Sequence, residues 1–180
     1  MNIQDIDNYF RTLSQELNVK TRIILIGGAA ALIMGGVRPT RDVDFEIETK
    51  ASPEQIEQSI RISENKSGLA SEYSGNIERW SMLNLPGYRK HTKTYKKFGK
   101  LTVDILKPEY WSIGKIGRYL DSDIQDMLSV FKEQKTRPEN LMKVWKEVIK
   151  TSPVSDELFH FKKHMEHFMK TFGEKLWDGF

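Results

Sequence analysis

The sequence predicts an α+β protein in which a mixed β-sheet with flanking helices is followed by a helical C-terminal part, and three observations lead there. Ile23-Ile24-Leu25-Ile26 is apolar on both faces and ends at Gly27-Gly28, the pattern of a buried strand that turns into a helix. Asp42 to Glu48 alternates acids with Val43, Phe45 and Ile47, the period of a half-buried strand. Beyond Lys107-Pro108, where proline is tolerated at a strand end, the pattern is helical to the terminus. The expected division is a core over 1–106 and a helical part over 107–180 packed on it.

Ile3, Ile6, Phe10, Leu13 and Leu17 follow helical spacing and predict an opening amphipathic helix. A strand over Arg22 to Ile26 comes next. Ala29 to Met34 then switches to strong helix formers, which Gly35-Gly36 stops. After the acidic strand, Ser52-Pro53-Glu54-Gln55 starts another helix, with a capping serine, proline in the first turn and an acid near the positive end of the dipole. Asn65 to Gly75 reads as loop and Ile77 to Leu83 as a strand. His91 to Phe98 and Leu101 to Leu106 read as a hairpin joined near Gly99. The helical part breaks near Gly117, at Arg137-Pro138 and at Ser152-Pro153.

With 180 residues, 38% hydrophobic and 29% charged, the chain can bury a workable core as one domain or as a domain with a helical appendage. No apolar run reaches the ~18 residues of a membrane span, and Met1 to Asp7 carries acids where a targeting peptide carries basic residues, so a cytoplasmic protein without membrane contact is expected. The absence of cysteine excludes disulfides, thiolate zinc and a cysteine nucleophile. Any metal must then sit on oxygen or imidazole, which favours Mg²⁺ or Mn²⁺ on carboxylates. The net charge of +3 is unevenly spread: Asp42 to Glu78 is acid-rich, whereas Arg89 to Arg118 is strongly basic. Such a juxtaposition suits an enzyme of polyanionic substrates, and equally a solvated lysine-rich edge hairpin.

The strand period places Asp42, Asp44, Glu46 and Glu48 on one face. Asp42 and Asp44, about 6.6 Å apart along the strand, can converge on one divalent ion; a solvated polar face gives the same periodicity. Asp104 interrupts the apolar run Leu101-Thr102-Val103-Asp104-Ile105-Leu106, and a buried carboxylate needs a metal, a cation or hydrogen bonds. Pairing beside the acidic strand would gather Asp42, Asp44 and Asp104; a salt bridge to a nearby lysine is the other reading. His160, His164 and His167 share helical spacing, beside an apolar stripe that packing explains.

Ile26-Gly27-Gly28-Ala29-Ala30-Ala31-Leu32, Arg38-Pro39-Thr40-Arg41-Asp42-Val43-Asp44 and Val103-Asp104-Ile105-Leu106 together resemble the nucleotidyltransferase core of the polymerase β-like superfamily. The paired glycine, Arg-x-Thr and Asp-x-Asp are similar to the AbiEii-type bacterial group, which includes toxins of toxin–antitoxin systems. Lys115-Ile116-Gly117-Arg118 with Asp123 and Asp126 resembles that group's later helices. The resemblance implies a nucleotidyltransferase fold and attack by a hydroxyl on the α-phosphate of a nucleoside triphosphate, with pyrophosphate leaving. It implies Asp42, Asp44 and Asp104 as catalytic metal ligands. Gly27, Gly28, Arg38, Thr40, Arg41, Lys115 and Arg118 would bind nucleotide, the glycines through backbone approach at a helix start. The superfamily often has Gly-Ser where this chain has Gly27-Gly28, so a hydroxyl is missing there. RNA becomes a candidate acceptor and a cognate antitoxin a candidate partner. A catalytically silent nucleotide- or nucleic-acid-binding relative, or an adenylyltransferase of a small molecule or protein, are the alternatives.

Overall fold

A computed structural model describes residues 1–177; residues 178–180 lie outside the described residues. The chain divides into two compact units, the first made of Met1–Ile33, Pro39–Ile77 and Thr92–Leu106, the second of Met34–Arg38, Glu78–His91 and the chain from Lys107 onward. The two short upstream segments Met34–Arg38 and Glu78–His91 belong with the helices.

The first unit is a sheet with helices. Helix α1 (Ile3–Leu17) starts at a reciprocal cap between Asn2 and Asp5 and ends at Asn18 in the left-handed region. Strand β1 (Thr21–Leu25) leads into the short helix α2 (Gly27–Ile33), and β2 (Asp42–Thr49) into α3 (Pro53–Ser67), capped by Ser52 and Gln55. Strand β3 (Ala70–Ser74) and the hairpin β4 (Thr92–Phe98) and β5 (Leu101–Leu106) complete the sheet, in the order β3-β2-β1-β5-β4. It is mixed: β1 runs antiparallel to β2 and parallel to β5, β3 is parallel to β2, and β4 is antiparallel to β5. Tyr9 and Phe10 of α1 meet Phe45 of β2 edge-on, so α1 buries the apolar sheet face.

Two elements depart from the sequence reading. Ala70–Ser74, expected to be loop, is an edge strand: little of it is buried, and backbone pairing to β2 rather than an apolar face holds it. Ile77 to Leu83, expected to be a strand, instead holds a 3-10 turn over Ile77–Trp80. The fully buried Glu46 carboxylate accepts a hydrogen bond from the Ile77 backbone N–H at 2.9 Å, which satisfies the turn's first donor without a neighbouring strand.

The second unit is helical: α4 (Pro108–Arg118), α5 (Asp121–Glu133), α6 (Pro138–Thr151) and α7 (Asp156–Leu176). Prolines at the first turns of α4 and α6 mark where each begins. The first expected break falls just past Gly117, where Tyr119 takes a left-handed φ of 54° at the end of α4. Its core is aromatic: Phe131, Trp145 and Phe168 lie against one another, and the Trp145 indole N–H donates to the buried Ser112 hydroxyl at 3.0 Å. No helix among the described residues is long and apolar enough to cross a membrane.

Candidate active site

The turn between β1 and α2 sets the geometry. Ile26 N–H donates to the Asp44 carbonyl at 2.9 Å, continuing the β1–β2 ladder one step past Leu25. The chain then turns sharply at Gly27, whose φ is +64°. Glycine is required twice over: the conformation is strained for any side chain, and a β-carbon would lie 2.1 Å from Asp44 Oδ2. At Gly28 a β-carbon would lie 2.5 Å from Thr40 Oγ1. That hydroxyl donates to Asp42 Oδ1 at 3.0 Å. Gly27, Gly28, Thr40, Asp42 and Asp44 are therefore one constellation, brought together from two strand ends and the loop before β2. Asp42 is exposed, Asp44 half-buried and Thr40 buried; Arg41 points into solvent.

Asp104 lies on the same sheet face, and the register defines its place. Ile24 of β1 pairs with Asp104 on one side and Glu46 on the other, so Asp104 is level with Glu46 rather than with Asp44. Only 6% exposed, its carboxylate has cationic and hydroxyl partners: Arg22 Nε donates to Oδ2 at 2.8 Å and Thr94 Oγ1 to Oδ1 at 2.8 Å. The salt-bridge alternative named a nearby lysine; the salt-bridge partner is Arg22 on the neighbouring strand. Burial pushes the Arg22 pKa down, but Asp104 and Glu48 outweigh it and leave the pKa above its ordinary value.

The donor set fits a hard divalent cation in part. Asp42 and Asp44 are oxygen ligands two residues apart on one strand face, with side-chain-free backbone at Gly27 directly against Asp44. Among the described residues, no group of three or more histidine, aspartate or glutamate side chains is close enough to hold a metal ion. Two of the three histidines of α7 have hydrogen-bond partners: His164 Nδ1 donates to the Ile116 carbonyl at 2.9 Å, and His167 Nδ1 pairs with the Tyr119 hydroxyl at 2.8 Å.

In the helical unit, Lys115 and Arg118 do point the same way, but at carboxylates. Lys115 Nζ is 3.0 Å from Asp123 Oδ1 and 2.7 Å from Asp126 Oδ2, and its side chain is 3% exposed. Arg118 grips Asp123 with two hydrogen bonds, at 2.8 and 2.7 Å, and Arg38 Nη2 lies 3.3 Å from Asp126. Burial raises the Asp123 pKa, and Arg118 and Lys115 more than offset it, so the carboxyl lies below its ordinary value. The physical reason Lys115 turns inward is that two carboxylates buried on α5 need a cation. Sequence reasoning noted Asp123 and Asp126 but did not assign them this pairing. It missed Arg22 and Thr94 too, and placed Glu46 on the acidic face without its bond to the Ile77 N–H. A signal for Arg22 existed: β1 and β5 are apolar strands carrying one charged residue each, of opposite sign.

No curated protein matches the chain. A crystal structure of an antigenic nucleotidyltransferase-like protein from Paracoccidioides brasiliensis aligns with a TM-score of 0.47 at 17% identity, covering 89% of this chain and 92% of that one. A family model described as "Nucleotidyltransferase of unknown function (DUF6036)" matches residues 1–172, and the chain therefore belongs to that nucleotidyltransferase family.

Proposed function

We propose that this chain transfers a nucleotide from a nucleoside triphosphate to a hydroxyl acceptor, with RNA as the acceptor class. The observation that carries the reading is Asp44 seated against Gly27, with Asp42 held by the Thr40 that lies against Gly28, in a chain of a nucleotidyltransferase family. In the reaction the acceptor oxygen bonds the α-phosphorus, the bond from that phosphorus to the β-phosphate's bridging oxygen breaks, pyrophosphate leaves, and the hydroxyl proton is lost to solvent. Asp42 and Asp44 would hold Mg²⁺ or Mn²⁺; bound there, such an ion supplies charge neutralisation at the triphosphate. Thr40 orients Asp42 through its hydroxyl, and the bare backbone of Gly27 and Gly28 lets the Asp44 and Thr40 side chains pack directly against it. Asp104 is the third catalytic carboxylate in this reading. Arg41, exposed beside Asp42, is the cation of this unit offered to phosphate.

The test is transfer of label from each α-labelled triphosphate to total RNA, or to small molecules and protein in a lysate, with Mg²⁺. Asp44→Asn is expected to abolish transfer while the protein still folds, because the amide removes the charge a divalent ion requires without changing shape. Full activity of that variant defeats the proposal. Label on protein or small molecules instead identifies the adenylyltransferase alternative. A toxin of the AbiEii type would in addition arrest growth when expressed, relieved by its antitoxin.

The occupation of both Asp104 oxygens favours a second reading, a silent relative that binds nucleotide without turnover. It predicts triphosphate binding by calorimetry and no label transferred to any acceptor.

A further inference from the structure

Arg22 and Asp104 interrupt two adjacent apolar strands, and the parallel register puts Arg22 opposite Thr102, two residues before Asp104. Residues two apart share a face, so both side chains emerge on the face that carries Asp42, Asp44, Glu46 and Glu48. The guanidinium divides itself in three directions. Nε donates to Asp104 at 2.8 Å, Nη2 to the Thr92 hydroxyl at 3.0 Å, and Nη1 lies 3.4 Å from Glu48. Thr94 holds the other Asp104 oxygen. A carboxylate buried to this degree has to be compensated, and Arg22 supplies the opposite charge.

We propose that Arg22 is a positioning residue of the transfer reaction: it fixes the orientation of Asp104 and, as its internal counter-cation, competes with divalent metal for it. The inference rests on the reading of Asp42, Asp44 and Asp104 given above. Arginine is the residue suited to the task. Its planar fork serves three acceptors in fixed directions, whereas a lysine ammonium delivers the same charge to one point. Lysine at this position therefore keeps the competition and loses the orientation, and glutamine loses both.

The experiment measures Mn²⁺ binding to protein without nucleotide by electron paramagnetic resonance, alongside kcat and KM for the triphosphate. Arg22→Gln is expected to bind Mn²⁺ about threefold or more tightly than wild type, since Asp104 is released to the cation. Its kcat falls about tenfold or more with KM changed within about twofold, the signature of lost positioning rather than lost binding. Arg22→Lys keeps the wild-type Mn²⁺ affinity with an intermediate kcat. In an Asp104→Asn background, Arg22→Gln changes neither Mn²⁺ affinity nor residual kcat. A merely structural arginine predicts the opposite: Mn²⁺ affinity and kcat fall together with melting temperature, in either background. Should Arg22→Gln fail to fold, Thr94→Val, at an exposed position, frees the other oxygen and must also tighten Mn²⁺. Unchanged Mn²⁺ affinity on releasing Asp104, in a protein whose binding depends on Asp42 and Asp44, overturns the inference and leaves the nucleotidyltransferase reading standing. Wild type binding Mn²⁺ no more tightly than Asp42→Asn/Asp44→Asn overturns both.

Discussion

The α-carbon of Gly27 and the carboxylate of Asp44 approach so closely that a β-carbon at Gly27 would lie 2.1 Å from Asp44 Oδ2. This contact joins the sharp turn after β1 to the acidic strand, and it makes the glycine a determinant of where the carboxylate points.

Gly27→Ala is therefore expected to damage the protein by two routes, strain and collision. Strain at a left-handed position costs about 1–3 kcal/mol. Gly68 supplies a control, because it also has positive φ (+72°) but nothing within 4 Å of an added β-carbon. Chemical denaturation of both variants should show the larger loss at Gly27, and Mn²⁺ binding should weaken there alone. Equal losses and intact Mn²⁺ binding would mean that Asp44 simply moves aside.

Lys115 compensates two carboxylates in the helical unit, so Lys115→Met should cost about 3–5 kcal/mol by leaving buried charge unpaired. Arg118→Ala should cost less, because its side chain is 58% exposed and water can replace part of what it gives Asp123. Urea midpoints with a shared slope measure both. A Lys115→Met protein of wild-type stability but weakened triphosphate binding would restore lysine to the nucleotide site.

Asp123 makes a prediction about acid. Its folded pKa lies below the ordinary 3.8, so the unfolded chain takes up the proton first. The stability it contributes is present above 3.8 and is lost as pH falls through that value toward the folded one. Asp123→Asn should lower stability near neutrality and flatten the acid limb of the stability curve. Denaturation midpoints followed downward from about pH 6 test this, and parallel curves for the two proteins would assign the acid sensitivity elsewhere.

Much of this molecule is written locally in its residues. The helix starts at Ser52 and Pro108, the buried strand ending at Gly27-Gly28 and the acidic face of β2 all follow from side-chain chemistry and period, which neighbours along the chain enforce. So did the choice of Asp42, Asp44 and Asp104 as the residues to watch. What the sequence left open was decided by partners distant along the chain. Ala70–Ser74 lacks an apolar face and becomes a strand only because β2 offers its edge. The protein partner of Asp104 was open; the parallel register of β1 and β5 brings Arg22 to it across 82 residues of sequence. Lys115 looked outward from its helix until α5 placed two buried carboxylates beside it. Local periodicity specifies which face a charge occupies, but the identity of its counter-charge depends on long-range register and packing, where desolvation makes each pairing obligatory.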